Sequence, residues 1–246
     1  MRKPIALALV MLAAVWVPIT TAQTPPQQPE APAESDASGE SDEPIEISEE
    51  LPPDEWTIEA FQGGAYSLPT KLTIRQLGFP PINVHARYAV RPHDFPLYYA
   101  LRVARWRGDR AWGIELIHYK LLLREAPPEV QHFSASHGYN LVTLSHRRRI
   151  RGVIVGAAAG LVVAHPENRV RGRELMAGGI AGYHLAGPTG AVIAGFDYRF
   201  GERWFLAAEA RFSGSYARVP VDDGHASMPD FGLHGHLGAG YRFGRR

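Results

Sequence analysis

The sequence contains no cysteine among its 246 residues. This absence excludes disulfide bonds, thiolate metal sites and lipid attachment at an N-terminal cysteine. Long apolar runs are also scarce, because after the run from Ile5 to Val17 no second one predicts a membrane-spanning helix. The folded part of the chain is therefore expected to depend on ladders of backbone hydrogen bonds between strands.

The first residues have the pattern of a secretory leader. Arg2 and Lys3 precede the apolar run, and Thr20, Thr21 and Ala22 follow it. A membrane anchor is the alternative, but the run is too short to cross a bilayer as a helix. We therefore predict that residues 1–22 are a signal peptide, cleaved near Ala22.

Residues 23–55 contain no lysine or arginine, and they hold eleven of the 25 carboxylates of the chain. This acidic, Pro-rich composition predicts a disordered linker, because it offers too little apolar surface to offset the entropy of ordering. The segment is interpreted as a solvated spacer, with a periplasmic contact arm or a handle for chaperones as the alternative.

The remaining segment, 56–246, has 24 basic and 14 acidic residues, so its net charge is about +10. No nucleic-acid-binding motif accompanies this charge, and nucleic acid is not an expected partner. Outer-membrane lipids, and lipopolysaccharide phosphates in particular, are the predicted anionic partners.

Apolar residues occupy alternate positions near the C-terminus, at Leu233, Leu237, Ala239 and Tyr241. Strands facing lipid on one side have this period of two. Ten segments are candidate strands: 56–66, 82–90, 97–107, 111–122, 138–148, 150–164, 175–186, 190–200, 203–215 and 232–243. Because only closed barrels satisfy the backbone of strands in hydrocarbon, we predict an all-β fold, an antiparallel transmembrane β-barrel of eight to ten strands in the bacterial outer membrane.

The same alternation assigns residues to faces. Asn83, His85 and Arg87 are expected to face the lumen, since Ile82, Val84, Ala86 and Tyr88 alternate with them. Two further sets are predicted to point inward, namely Ala207, Glu209 and Arg211, and Asp197 with Arg199. Short turns are expected at Arg107–Arg110, Arg147–Arg149, Ala186–Thr189 and Gly201–Arg203, and long loops at 67–81, 123–137, 165–174 and 216–231.

The C-terminal third also carries a family resemblance. Its motifs are Phe196-Asp197-Tyr198-Arg199-Phe200, Gly201-Glu202-Arg203-Trp204, Glu209-Ala210-Arg211-Phe212 and Gly240-Tyr241-Arg242-Phe243. These resemble the last hairpin and closing strand of small bacterial outer-membrane β-barrel proteins. The resemblance covers about 56–246 and implies a monomer without a cofactor that is inserted by the barrel assembly machinery.

Two short segments resemble lipid A-modifying enzymes. Val84-His85-Ala86-Arg87-Tyr88-Ala89 is similar to the lipid A palmitoyltransferase, although Tyr119-Lys120-Leu121-Leu122 lacks that family's Asp-Ser pair. His132-Phe133-Ser134 is similar to the His-x-Ser element of the lipid A deacylase. The resemblance implies His85, His132 and Ser134 as candidate catalytic residues. Ser136 and His137 join them as candidates, because an ester hydrolase needs a hydroxyl nucleophile and a base within reach, and both lie within six residues of His132.

All eleven histidines follow residue 84, and imidazole is a common ligand of transition metals. His234 and His236 could share a metal on one face of a strand, but lumen polarity is the preferred interpretation. Asp222, Asp223 and Asp230 are likewise interpreted as turn and loop carboxylates rather than a calcium site. We therefore predict no metal site.

Two arginine clusters are candidates for phosphate binding. Arg169, Arg171 and Arg173 lie in a predicted long loop, and they are the predicted lipopolysaccharide ligands. The other cluster, Arg147 to Arg151, is expected in a periplasmic turn.

The predicted function is a structural or binding role in the envelope. A lipid A acyl hydrolase or acyltransferase is the alternative. A porin is disfavoured, because a barrel of eight to ten strands has a lumen that side chains largely fill.

Overall fold

The computed structural model describes residues 54–176 and 179–245. The predicted signal peptide and nearly all of the predicted linker lie outside the described residues. The first strand begins at Asp54, two residues before the predicted boundary at Trp56. In the described part of the chain, no helix combines the length and the hydropathy needed to cross a membrane.

Eight long strands form a closed antiparallel ring. They are β1 (Asp54–Ser67), β4 (Tyr99–Arg107), β5 (Arg110–Arg124), β6 (Val130–Ile150), β7 (Val153–Ala164), β10 (His184–Phe200), β11 (Trp204–Val221) and β12 (Gly224–Arg245). Each pairs with the next in this order, and the pairing of β1 with β12 closes the ring. The predicted strand number of eight to ten is confirmed at eight.

Four shorter strands extend one end of this ring. They are β2 (Thr70–Gln76), β3 (Ile82–Ala89), β8 (Glu167–Val170) and β9 (Arg173–Met176). Strand β2 pairs with β12 and β3, while β3 also pairs with β5. Strand β8 pairs with β6 and β9. We call these strands, with the adjoining ends of β5, β6, β11 and β12, the collar.

The opposite end of the ring carries three short turns. The turn between β6 and β7 consists of Arg151 and Gly152, both with positive φ, at 50° and 86°. Type I′ hairpins need this conformation at both central residues. Since small outer-membrane barrels keep their short turns on the periplasmic side, the collar lies on the extracellular side.

The outer wall of the ring is apolar at mid-height. Side chains such as Ile58, Ile114, Val192 and Leu237 are exposed there, Leu237 at 71%. Rings of Trp56, Trp112 and Trp204 flank this belt at the turn end. A closed ring with this exterior is the structure that strands adopt in an outer membrane, which confirms the predicted fold class and location.

The lumen contains a compact network of buried ion pairs. The guanidinium of Arg102 donates to three carboxylates: Nε to Glu115 at 2.5 Å, Nη1 to Glu59 at 2.8 Å and Nη2 to Glu209 at 2.6 Å. Arg211 also contacts Glu115 and Glu209, and Arg147 contacts Glu59. Three arginines thus balance three glutamates, and the predicted inward positions of Glu209 and Arg211 are confirmed.

Further polar layers fill the lumen around this network. Towards the collar, the Tyr98 hydroxyl bonds His234 Nδ1 at 2.8 Å and His236 Nε2 at 2.6 Å. Towards the periplasm, Asp197 accepts from Arg149 and Arg242. A cavity beside the ion network has a volume of about 20 Å³, which is room for about one water molecule.

The collar has the opposite polarity from the membrane-spanning ring. Along β11, inward positions change from Glu209 and Arg211 to the buried Val219 and Val221. Outward positions change from lipid-facing Leu206 to exposed Arg218. The interior of the collar is accordingly an apolar core, whose members include Leu72, Ile74, Val84, Tyr88, Phe133, Val170 and Met228.

This inversion corrects one predicted face. Asn83, His85 and Arg87 of β3 are exposed on the outer surface, whereas Ile82 and Val84 are buried. Apolar and polar residues do alternate along β3, as predicted. Water rather than lipid surrounds this strand, so its apolar residues face the interior of the collar and its polar residues face out.

Several predicted boundaries are also wrong. Arg147–Arg149 lies within β6 and Ala186–Thr189 within β10, where the pairing with β7 shifts between Leu185 and Gly187. The candidate strand 175–186 contains a 3-10 helix at Gly179–Gly182 instead. The predicted loop 216–231 is the hairpin of β11 and β12, paired as far as Val221 and Gly224.

The ion network gives a prediction about stability. Replacing Arg102 by methionine should lower the free energy of unfolding by about 3–5 kcal/mol, because three buried carboxylates lose their shared counterion. Arg105→Ala is the control; it removes a solvent-screened pair with Asp54 and should lower the free energy of unfolding far less than Arg102→Met does. Urea unfolding of the refolded barrel in lipid vesicles measures both values, and equal effects of the two changes would contradict this account of the lumen.

Candidate functional site

A groove on the outer wall lies at the upper edge of the apolar belt. Its volume is about 640 Å³, and it is lined by Phe95, Tyr99, His118, Asn140, Val163 and Tyr183, among others. Asn140 lies ten residues above Ile150, which ends β6 on the periplasmic side. At about 3.3 Å per residue and a tilt near 40°, this places Asn140 roughly 25 Å above the lower edge, at the upper boundary of the hydrocarbon.

Polar side chains line the groove on the outward face of the wall. His118 Nδ1 and Asn140 Oδ1 are 2.8 Å apart, and Asn140 Nδ2 donates to the Val163 carbonyl at 3.0 Å. The Tyr99 ring stacks on His118 with a centroid separation of 4.9 Å. A side chain at position 138 would crowd this pair, because a Cβ there would lie 2.7 Å from Asn140 Nδ2. Gly138 therefore leaves room for the His118–Asn140 pair.

A bulge in β6 places a second polar cluster beside the groove. The register between β5 and β6 shifts between Tyr119 and Leu121, whose partners are Tyr139 and Ala135. Residues 136–138 of β6 therefore stand opposite the single residue Lys120 of β5, which makes two residues of β6 extra. The bulge carries Ser136 and His137.

The bulge meets the segment that follows β7. His137 Nδ1 lies 2.5 Å from Glu167 Oε1, and the Ser136 hydroxyl donates to Glu167 Oε2. The His165 ring packs 5.0 Å from the His137 ring and 5.0 Å from the Tyr183 ring. We call His137, His165 and Glu167 the bulge cluster.

The candidate catalytic residues do not form a catalytic relay here. Ser136 and Glu167 both contact the same nitrogen of His137, the serine hydroxyl at 3.5 Å. A Ser-His-acid relay needs the acid and the hydroxyl on opposite ring nitrogens.

The His-x-Ser element lies in the collar. His132 Nε2 is 3.0 Å from Ser134 Oγ, but Ser134 is only 1% exposed and is closed to a lipid substrate. Among the described residues, no carboxylate contacts His132 to orient its ring. His85 lies on β3, which β5 separates from β6, so the five candidates do not converge.

The predicted phosphate ligands lie on the collar, and two of them have protein partners. Arg171 donates to Gln76 Oε1 at 3.0 Å and to the Pro80 carbonyl at 2.8 Å, and its guanidinium stacks over Phe79. Arg173 pairs with Asp223 at 2.5 Å. Arg169 is exposed. These contacts tie the β8–β9 hairpin to its neighbours.

The other predicted ligand groups have structural roles. His234 and His236 share hydrogen bonds with Tyr98, in agreement with the interpretation as lumen polarity. Asp230 accepts hydrogen bonds from Tyr119 and Ser67, and Asp222 and Asp223 lie near Arg173. The three aspartates therefore do not converge on a calcium site.

Sequence reasoning missed a basic surface on the collar. Outward positions of β2, β3, β11 and β12 carry Lys71, Arg75, His85, Arg87, Arg218 and His225. Arg75 pairs with His225 across the strands, and Arg218 donates to His225 Nδ1 at 3.0 Å. The sequence feature that indicates this surface is the alternation of basic and apolar residues in Thr70–Gln76. That segment lies inside the predicted loop 67–81.

No family model matches the chain, and neither does any curated protein. Solved structures with a similar fold include Ail, the attachment invasion locus protein of Yersinia pestis, at 17% identity and a TM-score of 0.36, covering 78% of this chain and 99% of that one. AlkL in lipid bilayers is 14% identical, with a TM-score of 0.46 and coverage of 88% and 97%. OprG from Pseudomonas aeruginosa is 11% identical, with a TM-score of 0.40 and coverage of 78% and 97%. AlkL and OprG are outer membrane proteins.

The geometry around Ser134 and Ser136 predicts the outcome of active-site labelling. A fluorophosphonate probe, which modifies only activated serine hydroxyls, should leave both residues unlabelled in the refolded barrel, because neither has a histidine held by an acid on its other ring nitrogen. Intact-mass measurement detects the adduct. An adduct that disappears in Ser136→Ala or Ser134→Ala would restore the hydrolase alternative.

Proposed function

We propose that this protein is a non-conducting component of the outer membrane that binds lipopolysaccharide through the basic surface of its collar. The observation that supports the proposal is the set of cationic side chains on one outward sheet face just above the membrane. Within 54–176 and 179–245, the lumen offers no comparable site, because ion pairs and tyrosine–histidine contacts fill it.

The position of the basic surface suits a phosphate ligand. Tyr216 is exposed on β11 twelve residues above Trp204, which corresponds to roughly 30 Å of height. Arg218 follows one outward position later. The Arg218 guanidinium therefore lies at the height expected for lipid phosphates at the outer surface of the bilayer.

Most charges on this surface have no acidic partner among the described residues; Arg87 is the exception, since it lies 3.9 Å from exposed Glu125. Lys71 and Arg75 form no ion pair with any described residue, and Arg218 contacts His225. Burial, followed by the positive charges of Arg218 and Arg75, lowers the pKa of His225 below its ordinary value. The surface thus carries a net positive potential, and phosphate oxygens would satisfy its planar guanidinium groups.

The distal arginines are a less favourable site. Arg173 pairs with Asp223, at the turn seven residues beyond Tyr216, and Arg171 is held by Gln76 and Pro80. Binding a phosphate at either would require breaking these contacts. We therefore place lipopolysaccharide on the basic surface rather than on Arg169, Arg171 and Arg173.

Two triple variants separate these sites. Replacing Lys71, Arg75 and Arg218 with serine should reduce the lipopolysaccharide that co-purifies with the protein at least severalfold and should flatten its decline with added salt, because fewer exposed charges contribute. Replacing Arg169, Arg171 and Arg173 with serine is the matched comparison and should leave retention near that of the parent. Heat-modifiable mobility on a gel checks that each variant is folded.

Retention is measured by lipopolysaccharide phosphate per protein across a salt series. Unchanged retention in the first variant would overturn the proposal. A loss confined to the second variant would instead assign the ligand to the distal arginines.

A further inference from the structure

We propose that the bulge cluster, His137, His165 and Glu167, binds a divalent transition metal, with Zn²⁺ as the best match to its donors. One ligand atom from each side chain lies within 4.8 Å of the others. This inference is independent of the proposed lipopolysaccharide site, and it departs from the prediction that the chain has no metal site.

The backbone holds the two contributing segments together. The His165 amide donates to the Gly138 carbonyl at 2.9 Å, which ties the bulge to the residues after β7. Ser134 and Glu167 are partners in the β6–β8 ladder. Metal binding therefore requires little ordering of the chain, and side-chain rotation is the main adjustment.

His165 supplies independent evidence for a ligand. Its side chain is buried, with 3% of the residue exposed, yet its Nδ1 has no hydrogen-bond partner among the residues that the structure describes. Buried polar atoms nearly always have a partner, and an orphaned one needs a specific explanation. A metal ion coordinated by the imidazole would provide that explanation.

The donor set fits zinc chemistry. Two imidazole nitrogens and one carboxylate oxygen are ligands that Zn²⁺ accepts at about 2.0–2.2 Å, leaving a fourth position for water. Tetrahedral ligand atoms at these distances lie roughly 3.3 Å apart. The His137–Glu167 contact of 2.5 Å would have to open by less than about 1 Å to admit the ion.

Neighbouring groups would orient the ligands. The Ser136 hydroxyl donates to the second oxygen of Glu167, and the Tyr183 hydroxyl donates to the His137 carbonyl at 3.0 Å. Such outer contacts typically fix ligand geometry in metal sites. The exposed ring of His137 leaves a path for the ion from water.

Zinc titration of the refolded full barrel tests the site. After chelator treatment, calorimetry should give one Zn²⁺ per chain, and Mg²⁺ at the same concentration should give no heat. Substitution by Co²⁺ should produce the visible absorption of a tetrahedral nitrogen and oxygen site. His165→Gln and Glu167→Gln should each weaken Zn²⁺ binding at least about tenfold.

His132→Gln is the matched control, since it removes another exposed collar histidine of β6 without touching the cluster. It should bind Zn²⁺ as the parent does. If His165→Gln does not fold, His137→Gln, which alters an exposed ring, gives the same test. The proposal is overturned if the parent does not bind Zn²⁺, if the cluster variants bind as well as the parent, or if the control loses binding equally.

Discussion

The fold depends on one buried guanidinium, that of Arg102, which donates hydrogen bonds to three carboxylates at the centre of a narrow lumen. A closed eight-stranded ring encloses its inward side chains in a space without room for bulk water. Arg102 bonds Glu59, Glu115 and Glu209 together, so side chains from four strands share one charge-balanced network. Charges that would be costly singly are tolerated because each has a partner.

A second constraint sets the polarity of the chain. Below Tyr216 the exterior is hydrocarbon, so the interior must hold the polar groups; above it the exterior is water, and the interior becomes apolar. Strand β11 crosses this boundary without interruption, exchanging Glu209 inside for Val219. The collar is therefore a water-exposed extension of the sheet that packs around its own apolar core and continues the membrane barrel beneath it.

Alternation predicted the barrel and the inward positions of Glu209 and Arg211, because a period of two identifies residues that share a face. It could not predict which medium surrounds a strand, and for that reason the face of β3 was reversed. The arginine run at Arg147 and Arg149 was interpreted as a turn. The run lies within a strand, where Arg147 donates to Glu59 and Arg149 donates to Asp197. Both acceptors are far away in the sequence, so no local pattern reveals them.

The candidate sites were equally hard to predict from the sequence, because their residues come from distant parts of the chain. His137 was identified from its neighbourhood in the sequence, but Glu167 joins it only through the bulge and the β6–β8 pairing, which no local pattern reveals. The basic surface arises similarly from strands separated in sequence, since Arg75 of β2 lies beside His225 of β12. Pairing register, rather than composition, brings these groups together.

A lumen closed by its own side chains, with an apolar core above it, leaves no path for ions. Conductance of the purified protein across a planar lipid bilayer is the decisive measurement. After insertion is verified by heat-modifiable mobility and protease protection, we expect no discrete current steps above the leak of the protein-free bilayer. Reproducible channel openings in this measurement would contradict it.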